Sequence, residues 1–186
     1  MRKVSGAVAA IAVCLVLTGC QDGAKDPSGK ESPSGSSSTG ETPTGAPAAS
    51  GPLVEGDTFS VHVPQGWKFD KTFSADFIDQ YSNPDEFDQR LYVGELSGDV
   101  RPLEEVAKGN FARFATTATD KLRLPGADIA GEPAYHFVAS QGGGTVVEEF
   151  GVVRNGHQVA LNITLTGSKP ERQAVIDSIL AGWEWK

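Results

Sequence analysis

The residues able to do chemistry are few and scattered. Three histidines, His62, His136 and His157, lie in segments that alternate apolar and polar positions. That alternation predicts strands, with the histidines on or beside the polar faces. No pair of them has the spacing of metal ligands, so they read as solvent-facing strand residues. Acidic residues gather at Asp76, Asp79, Asp85, Glu86 and Asp88. Oxygen ligands on a loop can hold calcium, but this spacing is not that of an EF-hand, and an acidic loop is ordinarily solvated. Glu148 and Glu149 are adjacent on a predicted strand and must point to opposite faces, so they cannot act as a carboxylate pair. No G-x-S-x-G elbow and no S-x-x-K motif is present. Gly142, Gly143 and Gly144 lack the strand–helix setting of a phosphate loop and read as a hairpin tip. Asn162-Ile163-Thr164 is a glycosylation sequon only in form, since it falls in a predicted strand. Trp67, Trp183 and Trp185 have two uses. They pack a core, or, exposed on a concave surface, they form a platform for a sugar or a peptide. The set implies no enzyme, no cofactor and no metal.

The remaining reactive group is near the N-terminus. Arg2 and Lys3 precede an apolar run from Ala7 to Leu17, too short to span a bilayer of roughly 30 Å. The run closes on Leu17-Thr18-Gly19-Cys20. This stretch resembles the lipobox of bacterial lipoproteins, and it matches that pattern at all four positions. The resemblance implies a thioether-linked diacylglyceryl group on Cys20 and cleavage between Gly19 and Cys20. Residues 1–19 are then a removed signal peptide, and Cys14 leaves with them. The mature chain keeps a single, acylated cysteine, with no disulfide and no free thiol. Two acyl chains hold a soluble domain stably at about 0.8 kcal/mol per buried CH₂. The implied location is the extracytoplasmic side of the cell membrane.

Residues 20–52 are expected to be a tether. After Cys20 the stretch contains no aromatic residue and no Val, Ile, Leu or Met. It cannot bury enough apolar surface to offset chain entropy, and is expected to be disordered with a reach of roughly 30 Å. All nine phenylalanines and all three tryptophans follow it, which sets the start of a folded domain near residue 53. The domain, 53–186, has an ordinary single-domain length. The formal charge of the chain is −8, and losing Arg2 and Lys3 makes it more negative by two. Such a charge disfavours nucleic acid and anionic headgroups, so the anchor on Cys20 has to supply the membrane affinity.

The elements that must position any site follow from periodicity. Phe59, Val61 and Val63 alternate with Ser60 and His62 in a strand, which ends at Pro64-Gln65-Gly66-Trp67. Phe77 to Tyr81 and Leu91 to Leu96 are further strand candidates. Pro102 suits a helix start, and Leu103, Val106, Ala107, Asn110, Phe111 and Phe114 form one stripe. Leu122 to Ile129 reads as extended, Gly131-Glu132-Pro133 as a turn, and Tyr135 to Val138 and Thr145 to Val153 as strands. Asn155-Gly156 predicts a type I′ hairpin into Val159, Leu161, Ile163 and Leu165. Ser168 and Glu171 predict a capping box with Pro170 in the first turn. Val175, Ile176, Ile179 and Leu180 then face the core, Gly182 stops the helix, and Trp183-Glu184-Trp185 closes the chain as a short strand. The order predicts an α+β fold, an antiparallel sheet with helices packed on it.

Three stretches in this order resemble the LpqN-type probable lipoproteins of actinobacteria and, more widely, the PsbP-like fold. They are Phe59-Ser60-Val61-His62-Val63-Pro64-Gln65-Gly66-Trp67, Gly131-Glu132-Pro133-Ala134 before a strand, and the last helix running into Trp183-Glu184-Trp185. The resemblance covers most of 53–186 and brings no shared catalytic residues. It implies a non-catalytic binding or assembly module for a cell-envelope protein or wall component. The alternative is a small-ligand or lipid carrier of the envelope, which requires a deep apolar pocket between helix and sheet.

Overall fold

The computed structural model describes residues 45–186, apart from positions 73, 75–77, 87, 99 and 119. Two sheets result, and every strand pairing is antiparallel. In the larger, β3 (Lys68–Phe69), β4 (Ile78–Ser82), β5 (Arg90–Ser97), β6 (Asp120–Ile129), β7 (Glu132–Gly142), β8 (Thr145–Arg154) and β9 (His157–Leu165) lie in the order β3-β4-β5-β9-β8-β7-β6. In the smaller, β1 (Leu53–Glu55) and β10 (Glu184–Trp185) flank β2 (Phe59–His62).

The strands from β6 to β9 form a meander through three two-residue turns. Ala130-Gly131, Gly143-Gly144 and Asn155-Gly156 all have positive φ at both positions, which suits the twist of the flanking strands. The type I′ turn expected at Asn155-Gly156 is present, with φ of 49° and 77°. The turn expected at Gly131-Glu132-Pro133 lies one residue earlier, because Glu132 and Pro133 already pair within β7. β6 breaks register between Leu124 and Ala127, where Pro125 has no N–H to give to a ladder.

Two helices cover the larger sheet from opposite sides. Helix α1 (Leu103–Arg113) packs Val106, Ala107 and the following Phe114 onto Tyr135, Phe137, Ala139 and Val147. Phe137 is the centre of this layer, with Phe111, Phe114 and Tyr135 rings 4.5 to 5.6 Å from its own. Helix α2 (Lys169–Ala181) buries Ile176 and Ile179 on the other side, with the small sheet and residues of β5, β8 and β9. Its capping box forms as expected. Glu171 Oε2 accepts from Ser168 N–H at 2.8 Å and from Ser168 Oγ at 2.7 Å. In β9, Val159, Leu161, Ile163 and Leu165 are all buried, as their alternation predicts.

The end of the composition-defined tether is attached to the domain. Ala49 N–H donates to Ser178 C=O at 2.8 Å, and Gly51 N–H donates to Val63 C=O at 2.9 Å. Side-chain hydrophobicity marks residue 53, while main-chain hydrogen bonds start earlier. Leu17, Thr18, Gly19 and Cys20, the rest of the tether, Asp76 and Phe77 lie outside the described residues.

Candidate functional site

The chemistry-bearing side chains fall into three places, one on each side of the larger sheet and one at its junction with the small sheet. None of the three could be read from spacing along the chain.

At the sheet junction, Glu95 reaches from β5 to the β1–β2 turn. Its carboxylate accepts from Asp57 N–H at 2.6 Å, Thr58 N–H at 3.2 Å and Thr58 Oγ1 at 2.6 Å. His157 Nδ1 lies 2.9 Å from Glu95 Oε1, in ion-pair range but off line for a hydrogen bond. Asp57, Glu95 and His157 thus bring three possible ligand atoms within 4.8 Å of one another, although Glu95 and His157 are far apart in sequence. Their chemistry is already committed. The Glu95 side chain is only 11 % exposed, and both its oxygens face donors of the chain itself. The group works as a clamp holding the small sheet to the large one. Beside it, Glu55, Asp57, Asp79 and Glu95 line a cleft of about 430 Å³.

On the α1 side lies a polar chain. Arg113 Nη2 donates to Asn110 Oδ1 at 2.8 Å, Asn110 Nδ2 donates to Tyr135 Oη at 2.7 Å, and Tyr135 Oη donates to Glu149 Oε1 at 3.0 Å. Asn162 Nδ2 donates to Glu149 Oε2 at 3.2 Å. Burial pushes the Glu149 carboxyl above its ordinary range, opposed by the hydrogen bonds from Asn162 and Tyr135. Burial, then the neighbouring Glu149 charge, pushes the Tyr135 phenol well above its ordinary value. Cross-strand from Tyr135, Gly151 has no side chain because the phenol ring occupies that space.

On the α2 side is an open groove of about 410 Å³. Leu122 and Leu124 of β6, Val138 of β7 and Val146 of β8 supply its aliphatic surface, and Lys169 and Arg172 of α2 overhang it. His136 Nε2–H donates to Glu148 Oε2 at 2.7 Å inside the groove, and the imidazole stacks on Phe150 with centroids 4.1 Å apart. Leu122 is 60 % exposed.

Several expectations change. The three histidines are half-buried rather than solvent-facing: His62 bonds the Gly51 carbonyl at 2.8 Å, His136 bonds Glu148, and His157 lies in ion-pair range of Glu95. Trp67 and Trp183 are 5 % exposed and belong to the core, so they form no platform for a sugar or peptide. Trp183 stacks on Phe59 at 4.9 Å. Trp185 is half-buried, donates Nε1–H to Ile129 C=O at 2.8 Å and lies under the Arg154 guanidinium. The acidic stretch also separates. Asp79 lines the junction cleft, Glu86 accepts from Gln89 and Thr166, and Asp88 sits 3.8 Å from Arg90. Glu148 and Glu149 do point to opposite faces, as strand geometry requires.

No family model and no curated protein matches the sequence. Solved structures do match the fold. One is the cyanobacterial PsbP protein CyanoP of Synechocystis sp. PCC 6803, with a TM-score of 0.54 and 12 % identity, covering 76 % of this chain and 96 % of that one. A variant of the protein Mog1 aligns with a TM-score of 0.50 and 15 % identity over 72 % of this chain and 94 % of its own. Antiparallel sheets carrying two helices, in an arrangement shared with CyanoP, give this chain a PsbP-like α+β fold.

Proposed function

We propose that this chain is a lipid-anchored lipoprotein of the LpqN type on the extracytoplasmic side of the cell membrane. Its domain works as a non-catalytic binding or assembly module for a cell-envelope protein or wall component. The observation that carries the reading is the coincidence of Arg2 and Lys3, the apolar run and Leu17-Thr18-Gly19-Cys20 at one end of a chain whose other end folds. The non-catalytic reading draws on where three carboxylates point. Glu95 clamps a turn, Glu148 holds His136, and Glu149 joins Tyr135 and Asn162, so these three carboxylates are engaged by the fold. Among the described residues no helix is long and apolar enough to cross a membrane.

The anchor is tested with Cys20→Ala. The variant is expected to take up no labelled fatty acid and to accumulate as uncleaved precursor; normal processing would refute the lipobox reading. The module is tested by capture from native envelope extract on a domain beginning at residue 45, which keeps the Ala49 and Gly51 hydrogen bonds. A protein partner lost on mutating one exposed patch supports it.

A second reading, a small-ligand carrier, is favoured by one observation, the partly aliphatic groove between β6–β8 and α2. Mass spectrometry of the same capture separates the two. A co-purifying small molecule with no protein partner favours the carrier.

A further inference from the structure

The larger sheet ends in β6, a ten-residue strand with no neighbour on its outer side among the described residues. Its hairpin register tells which main-chain groups are left over. In a two-residue hairpin the flanking pair, here Ile129 and Glu132, exchanges both hydrogen bonds, and bonded and non-bonded pairs alternate from there. Counting along β7, Ala134, His136, Val138 and Ser140 turn their main-chain groups toward β6. Lys121, opposite Ala139, and Arg123, opposite Phe137, therefore turn their N–H and C=O outward.

The side chains leave that edge open. Lys121 Nζ donates to the Phe111 and Phe114 carbonyls at 3.1 and 3.3 Å, and Arg123 makes a two-pronged contact with Glu104. Both cations are drawn over the α1 face instead of guarding the edge. Between them Leu122 projects to the other face, into the groove, where Lys169 has no ion-pair partner among the described residues. The bulge at Pro125-Gly126 separates the regular stretch 120–124 from the pairs at 127–129.

We propose that β6 accepts an added antiparallel strand of about five residues from an acidic, extended peptide of a partner protein. Outward main-chain groups of Lys121 and Arg123 supply the hydrogen bonds, and aliphatic side chains of the peptide cover Leu122 and Leu124. Charge selects the occupant. A second copy of this chain pairing antiparallel through the same edge would set Lys121 or Arg123 opposite Lys121 or Arg123 in every register that keeps leucines on one face and overlaps three or more residues of 120–124, and like charges directly opposed are destabilising. Glutamates at those positions would instead lie opposite two cations, Lys121 and Arg123, of which Arg123 also contacts Glu104. The proposal rests on the binding-module reading.

The test uses the full chain in detergent and a fluorescein-labelled, end-blocked peptide, Thr-Val-Glu-Val-Glu-Val-Thr, with Thr-Val-Lys-Val-Lys-Val-Thr as its counterpart. The acidic peptide should bind about tenfold or more tightly than the basic one and slow amide exchange at Lys121 and Arg123 by about tenfold or more, with little change at Leu122 and Leu124. Leu122→Asp, at an exposed position, should weaken binding by about tenfold or more. Equal binding of the two peptides, or saturation without protection at Lys121 and Arg123, would overturn the proposal. So would protection without peptide, since a concentration-dependent signal assigns the edge to a second copy and a concentration-independent one to the chain itself. An envelope partner captured while these amides stay unprotected overturns the edge and leaves the module reading standing.

Discussion

Replacing Glu95 with alanine should loosen the junction between the two sheets without touching either core. Three donors lose their acceptor, but not equally. Asp57 N–H is exposed, and water replaces Glu95 there at little cost. Thr58 N–H and Oγ1 are partly buried, and Thr58 itself is 9 % exposed, so both are left poorly solvated. Hydrogen bonds to a charged partner contribute about 1.5–3 kcal/mol each, so the two together predict a loss of roughly 3–6 kcal/mol. For a domain of this size each kcal/mol lowers Tm by about 2–4 °C, which gives a fall on the order of 10 °C. Thermal melting of the wild type and the Glu95→Ala variant, followed by circular dichroism, measures it. Running both with a chelator and with millimolar calcium or zinc separates clamp from metal site. A clamp predicts the same Tm in all three conditions. A wild-type Tm that rises with cation, and a variant that does not respond, would show that Asp57, Glu95 and His157 hold an ion. A fall of less than about 2 °C in Glu95→Ala would refute the clamp.

Two further outcomes follow from the α1 side. Glu149 has its folded-state pKa raised by burial, so over a window above the ordinary carboxylate range the native state holds a proton that the unfolded chain has released. Its stability contribution is complete below the unfolded value and is lost as pH rises through the raised one. Glu149→Gln stays neutral and should flatten that part of the curve of urea midpoint against pH, and parallel curves would refute the assignment. Gly151→Ala would drive a methyl group into the Tyr135 ring, and overpacking of this kind costs about 1–3 kcal/mol. An unchanged urea midpoint would mean that the ring moves freely, against the Asn110–Tyr135–Glu149 chain.

Local features carried much of the fold into the sequence. Alternation in β2 and β9, the stripe of α1 and the Ser168–Glu171 box each depend on residues within a few positions, where strand and helix periods act directly. Asn155-Gly156 is likewise a local matter of positive φ. The candidate sites were not legible in this way. Glu95 meets His157 and Thr58 only because β5 pairs with β9 in one register and the small sheet docks above it. His136 and Glu148 face each other only through the β7–β8 pairing. Leu122 and Leu124 look like any buried pair until the strand order leaves β6 at the edge. Trp67 and Trp183 could equally have lined a surface, since indole burial depends on what packs above it.

By itself the sequence determined most of the element types and their order from β2 onward, and its N-terminal residues support the proposed lipobox at Cys20. These are set by composition and by neighbours along the chain. The tertiary structure decided which polar groups meet, which tryptophans are core and which strand ends the larger sheet among the described residues. Each of those depends on pairing register between residues distant in sequence, which local patterns do not encode.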